Sequence, residues 1–290
     1  MARDPSAQAT VRGVEARGLV FDVRVAGEDG GAPVLLLHGF PQNAGEWARV
    51  LPALHAEGLR TLAPDQRGYS PGARPSDVDA YRMAEVTADA LGILDALEVD
   101  TAHVVGHDWG ALVGWHLAAR HPERVRTLTA VSVPHPLAYA QARADDADQR
   151  SRSAYIGLFR QPGKAEDVLL REDAVRLRAM FAGVDREDVE SYAAPMLDPA
   201  ALTAALNWYR AMSRADLDGL GPVAVPTTFV WSDNDLAIGR SAAEACASYV
   251  TGDYRFITLP GVSHWIPDEA PGALAEAILH RVSPVDGKGT

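Results

Sequence analysis

Disulfide chemistry is closed to this chain, which has one cysteine, Cys246, in 290 residues. A lone thiol cannot supply an internal disulfide framework or a multi-cysteine zinc site. Long apolar runs are missing too: none approaches the roughly 18–20 residues that a membrane-spanning helix needs. Positive charge is scarce, with 27 Lys and Arg against 39 Asp and Glu and a formal net charge of −12. No basic cluster stands out, which argues against nucleic acid or an anionic membrane as partner. Residues 1–12 are polar and lack the apolar core of a secretory signal. There is no internal repeat and no low-complexity segment. The expectation is a soluble cytoplasmic protein, either a monomer or a homodimer.

What is present is the composition of a globular domain, 47% hydrophobic and 23% charged. Residues 1–14 look like a loose lead-in, and alternating or wholly apolar runs predict strands over 19–25, 33–37, 60–63, 125–133, 227–231 and 254–259. Helical periodicity falls between them, at 46–56, 81–97 and 269–282, with a Gly/Lys tail beyond. This alternation predicts a mostly parallel central sheet flanked by helices on both faces. The rhythm changes between 137 and 221, where amphipathic patterns such as 165–181 and 199–212 appear without a convincing strand. The expected organisation is therefore a core of residues 1–136 and 222–290, with 137–221 inserted as an all-helical lid over the strand C-termini. That edge is where open α/β sheets bind ligands.

The chain is organised around Thr101 to Trp115, TAHVVGHDWGALVGW. A buried β-branched run turns sharply at Gly106-His107-Asp108-Trp109-Gly110 and continues as an apolar helix. A strand that breaks into a helix at a reactive residue, with glycines two positions either side, has the layout of a nucleophile elbow. The apex side chain would stand beside the free N–H groups of a helix N-terminus, which favour negative charge. By itself the pattern equally fits a tight turn with Asp108 as a helix cap, so the rest of the chain must decide.

His264, in Gly261-Val262-Ser263-His264-Trp265 just after the last strand, is the best placed of the nine histidines to act as a base. An acid to orient it should follow the preceding strand, where Trp231-Ser232-Asp233-Asn234-Asp235 offers Asp235, with Asp233 as the alternative. His38-Gly39-Phe40-Pro41 follows another buried strand, and the backbone N–H groups of Phe40 and Trp109 could form an oxyanion hole. Two lid tyrosines, Tyr155 and Tyr209, sit in apolar sequence where a buried phenol needs a partner.

Asp in place of Ser at the apex narrows the chemistry. A carboxylate attacking an acyl carbon makes an anhydride, a poor intermediate for ester hydrolysis. A carboxylate attacking an sp³ carbon that bears a leaving oxygen or halide makes an alkyl ester. Water activated by a histidine then hydrolyses that ester at the Asp carbonyl carbon. An epoxide oxygen leaves as an alkoxide and wants O–H donors, whereas a halide wants N–H donors, so the lid tyrosines favour the epoxide.

His38-Gly39-Phe40-Pro41, Asp65-Gln66-Arg67-Gly68-Tyr69-Ser70, the Gly106–Gly110 elbow and Gly261–Trp265 together resemble the α/β-hydrolase-fold epoxide hydrolases, over residues 20–282. Tyr155 through Phe159 to Gln161-Pro162-Gly163 resembles the family's first lid-tyrosine segment, and Asn207-Trp208-Tyr209-Arg210 the second. The resemblance implies an α/β-hydrolase fold and conversion of a small-molecule epoxide and water to a vicinal diol. It implies Asp108 as nucleophile, His264 as water-activating base and Asp235 as its acid. Tyr155 and Tyr209 would be donors to the epoxide oxygen, and Phe40 and Trp109 would give backbone N–H groups. The family uses no metal or organic cofactor. Haloalkane dehalogenases share the Asp-Trp elbow but carry Asn where this chain has Phe40. Fluoroacetate dehalogenases resemble the HGFPQN opening but carry Arg where it has Trp109. The alternatives are a haloalkane or haloacid dehalogenase using the same nucleophile, and a non-catalytic small-ligand-binding protein on this scaffold.

Overall fold

Each apolar run read as a strand forms one. A computed structural model describes residues 10–283. The first nine residues of the expected lead-in and the Gly/Lys tail lie outside them. The strands are β1 (Thr10–Ala16), β2 (Leu19–Ala26), β3 (Pro33–Leu37), β4 (Arg60–Pro64), β5 (Ala102–His107), β6 (Val125–Val131), β7 (Thr227–Ser232) and β8 (Tyr254–Leu259). They form one eight-stranded sheet in the order β1-β2-β4-β3-β5-β6-β7-β8. β1 and β2 run antiparallel at one edge, and every pairing from β4 onward is parallel.

β1 corrects the expected lead-in over 1–14. Only Val14 and Ala16 of that strand face the core, so the sequence shows little alternation there. Its cue is the Arg17-Gly18 pair, both at positive φ (53° and 77°), which closes a two-residue hairpin onto β2.

The helices are α1 (Leu51–Ala56), α2 (Met83–Ala96), α3 (Trp109–Arg120), α4 (Pro136–Asp145), α5 (Ala147–Arg152), α6 (Ile156–Phe159), α7 (Lys164–Ala179), α8 (Arg186–Met196), α9 (Pro199–Ala211), α10 (Arg240–Ala245), α11 (Ile266–Glu269) and α12 (Pro271–Val282). The helix expected over 46–56 is two pieces, a 3-10 turn at Ala44–Trp47 and then α1. Pro52 lacks an N–H and so starts a helix rather than continuing one. The expected 269–282 helix likewise restarts at Pro271. α7 is broken between Arg171 and Ala174, where the backbone leaves helical angles. α8 has no counterpart in the expected elements, because its RED-VES start is highly charged and Pro195 interrupts its pattern.

Alternation along the central strands buries both faces. Leu35, Leu37, Val104 and Leu128 point to one side, against Val86 and Ile93 of α2 and Leu117 of α3. Val34, Leu36, Val105, Val131 and Val230 point to the other, against Trp47, Leu54 of α1, and Leu274 and Ile278 of α12. Between β6 and β7 the described chain is helical from α4 through α9. The strand order reverses beside β3: the chain leaves β3 to build β4 on one side, then returns to place β5 on the other. The loops after β3 and β5 therefore part around a crevice at the carboxyl edge.

Candidate active site

Asp108 stands in that crevice, between β5 and α3. Its φ of 51° and ψ of −116° lie outside the regions that non-glycine residues prefer. Three glycines make the conformation possible by letting backbone approach backbone. A Cβ on Gly106 would lie 2.1 Å from the Gly110 carbonyl oxygen, and one on Gly110 would lie 1.9 Å from that of Leu37. A Cβ on Gly39 would lie 2.4 Å from Asp108 Cβ. The glycines of the elbow and of the His-Gly pair are thus one steric solution.

The Phe40 N–H donates to Asp108 Oδ1 at 2.9 Å. The Trp109 N–H belongs to the first turn of α3, where no intrahelical acceptor is available. Asp108 Oδ2 lies 3.4 Å from His264 Nε2, and the His264 Nδ1–H donates to Asp235 Oδ2 at 2.7 Å. Asp235 is buried, and its Oδ1 accepts from the N–H groups of Ala237 and Ile238 at 2.7 and 3.0 Å. Asp233 is exposed and accepts from the Gly261 N–H at 2.7 Å, tying two loops together. The structure therefore brings Asp235 against His264 and turns Asp233 away.

Charge follows from this arrangement. Burial alone would lower the His264 pKa, but Asp235 on one side and Asp108 on the other outweigh it and push it up to about 10. Burial alone would raise Asp108, but the hydrogen-bonding and charge of His264 hold it below the usual carboxylate range. At neutral pH these shifts leave Asp108 ionised and His264 cationic.

Helices between β6 and β7 bring aromatic rings beside this group. Tyr209 of α9 packs edge-on against Phe40 and Trp109, with centroids 5.2 and 5.0 Å apart. Tyr155, just before α6, lies 6.2 Å from Tyr209, and Phe159 packs 5.3 Å from Phe40. Tyr209 thus packs on the two residues that flank Asp108, and Tyr155 packs on Tyr209. Burial, with Asp108 nearby, pushes both phenols well above their ordinary range, so they stay protonated and able to donate.

The Asp65–Ser70 segment acts as a brace. The Gln66 N–H donates to His38 Nε2 at 3.0 Å and its side-chain amide donates to the His38 carbonyl at 2.6 Å. Arg67 forms a buried ion pair with Asp89 at 2.5 Å, and its carbonyl accepts from the Trp208 indole at 2.8 Å. Asp65 accepts from the Ala44 N–H at 2.8 Å. These bonds fix the loop that carries Phe40.

Sequence reasoning missed a second buried group beside His264. Asp268 of α11 accepts from the Tyr192 hydroxyl of α8 at 2.8 Å and from Gln42 at 2.7 Å. Burial pushes its pKa up to about 6, against the hydrogen bond from Tyr192. The Ser132 hydroxyl donates to the His264 carbonyl at 2.9 Å. Asp268, four residues past His264, was visible in the sequence, but nothing in its spacing names partners on α8 or after Phe40.

Comparison with known proteins identifies the fold and the family. Residues 32–271 match the alpha/beta hydrolase fold family. The chain is 35% identical to Epoxide hydrolase A of Mycobacterium tuberculosis, over 93% of this chain and 96% of that protein. It is 33% identical to the AB hydrolase superfamily protein YfhM of Bacillus subtilis, over 92% of this chain and 95% of that protein. The crystal structure of Epoxide Hydrolase A from Mycobacterium thermoresistibile superposes with a TM-score of 0.85 at 30% identity, covering 95% of this chain and 98% of that one. By sequence match, by fold and by the strained Asp108 elbow alike, the chain belongs to the α/β-hydrolase-fold family, alongside epoxide hydrolases.

Proposed function

We propose that this protein is an epoxide hydrolase that converts a small-molecule epoxide and water to a vicinal diol. One observation carries the reading: the Asp108 carboxylate at the elbow apex lies between the His264 imidazole and the Phe40 N–H, with Tyr209 packed on Phe40 and Trp109 and Tyr155 packed on Tyr209. Residues 137–221 serve as the lid on a core of 1–136 and 222–290.

Asp108 attacks one epoxide carbon, and the carbon–oxygen bond breaks with its electron pair going to the ring oxygen. Tyr155 and Tyr209 bind that oxygen, and one of them gives it a proton. The product is a hydroxyalkyl ester of Asp108. Esterification removes the negative charge that helped hold the proton on His264, so its proton affinity falls. His264 returns a proton, through water, to the phenolate and becomes a neutral base. It then deprotonates a water that attacks the Asp108 carbonyl carbon. The N–H groups of Phe40 and Trp109 receive the charge on the carbonyl oxygen, and Asp235 steadies the imidazolium. Collapse breaks the ester C–O bond, and the leaving alkoxide takes the proton of the hydroxyl that water left on the Asp108 carbonyl carbon. This frees the diol and restores the carboxylate while His264 keeps its proton.

The rings of Phe40, Phe159, Trp109 and Tyr209 make the surroundings of Asp108 apolar, which suits aryl or alkyl epoxides. The test is product analysis on a panel of such epoxides beside bromoalkanes and fluoroacetate. Diol without halide release is expected. Halide release without diol would transfer the leaving-group role to the Trp109 indole and make the protein a dehalogenase.

A further inference from the structure

Two fully buried titratable side chains beside the site take no part in the chemistry above. Glu46 Oε2 lies 3.2 Å from His107 Nδ1, and His107 Nε2 lies 3.0 Å from the main-chain oxygen of His264. A carbonyl oxygen only accepts, so Nε2 carries a hydrogen. Two arrangements then remain for the other contact. Either Nδ1 is bare and Glu46 donates to it as a carboxylic acid, or an imidazolium faces a carboxylate.

The surroundings favour the neutral pair. The His107 and His264 rings are 5.1 Å apart, and His264 is already cationic at rest, so a second cation is opposed. Asp268 and Asp108 face Glu46 and oppose another anion, while the Gly39 N–H and His264 favour one. The same two carboxylates favour a cationic His107, but burial and His264 outweigh them. Burial opposes both ions, and the net effect pulls His107 down to about 4 and Glu46 well above its ordinary range. Glu46 Oε1 has no hydrogen-bond partner. An orphaned oxygen is far less costly on a neutral acid than on a buried carboxylate.

We propose that Glu46 is a neutral carboxylic acid and a positioning residue for His264. Its O–H donates to His107 Nδ1 and fixes the Nε2–H tautomer. That N–H and the Ser132 hydroxyl together hold the His264 carbonyl, and with it the main chain of the residue that activates water. The inference rests on the reading of His264 as the base for ester hydrolysis. Loss of the clamp acts on that step and leaves ester formation by Asp108 largely untouched.

The experiment compares Glu46→Gln, which keeps a donor toward Nδ1, with Glu46→Leu, which removes it. Single turnovers with an accepted epoxide are followed by intact-protein mass spectrometry. Glu46→Gln is expected to keep most of the wild-type rate of ester hydrolysis. Glu46→Leu is expected to slow it ~10- to 100-fold, as small displacements of a catalytic group do, so the alkyl-enzyme accumulates. An infrared difference spectrum, wild type minus Glu46→Gln at neutral pH, is expected to contain a carboxylic-acid C=O band. Equal ester accumulation in both variants would overturn the positioning role, and absence of the band would overturn the neutral acid. If Glu46→Leu fails to fold, the Gln variant and the band still decide. A wild type that makes no diol fails the functional reading and the positioning role with it, while the band reports on Glu46 independently.

Discussion

Asp108 and His264 divide the proposed reaction between them, so their variants should fail at different steps. His264→Gln is expected to form the Asp108 ester and stall, gaining the mass of the substrate; an unmodified variant beside an active wild type would count against the two-step scheme. Freshly made Asp108→Asn is expected to gain no mass and show no turnover. The charge state of His264 also links to stability. Its folded-state pKa of about 10 lies above the ordinary 6.5, so its stabilisation is complete below about 6.5 and drains away as pH rises through about 10. The stability gap between wild type and His264→Gln should therefore narrow over that window in urea melts, and a constant gap would contradict the ion pair. The proposed nucleophile and base are legible in the sequence because each sits in a motif at a strand end. The choice between Asp233 and Asp235 is not legible there. It depends on which carboxylate the Ala237 and Ile238 N–H groups turn inward, a matter of local backbone.

At the scale of elements, the site depends on connections that no single segment announces. α8 reaches the His264 loop through the Tyr192–Asp268 bond, and Gln42 joins the same carboxylate from the loop that carries Phe40. Tyr192→Phe should cost roughly 1–3 kcal/mol, the usual penalty for a buried acceptor that loses its donor. A urea melt indistinguishable from wild type would show that this tie carries no stability. Strands with strong apolar runs, β3 and β5 among them, are legible because both faces are buried. β1 is not, since its outer face is solvent and its hairpin relies on Arg17-Gly18 rather than a stronger turn pair. α8 is illegible for a related reason: it buries Val189, Tyr192, Ala193 and Met196 from a largely charged sequence.

Across the whole molecule, the sheet delivers Phe40, Asp108, Asp235 and His264 to one edge, and the inserted helices bring Tyr155 and Tyr209 across to meet them. If both phenols serve the leaving oxygen, Tyr155→Phe and Tyr209→Phe should each slow ring opening, within the ~10²–10⁴-fold range of a positioned acid, with each partly covering for the other. Burst kinetics would separate that step from ester hydrolysis. Both variants opening the ring at wild-type rates would reduce the tyrosines to packing. Among the described residues no helix is long and apolar enough to cross a membrane, in keeping with the absence of long apolar runs.

The strand order has a consequence for the sequence in which the parts are synthesised. β3 and β5, neighbours in the sheet, leave the ribosome early and lead into the carboxylate proposed to attack and its Phe40 donor. His264 arrives only after β8, at the far edge, some 156 residues after Asp108. On the proposed scheme, a nascent or C-terminally clipped chain that had assembled the early half would hold a warhead without its release mechanism, and the first electrophile it captured would stay.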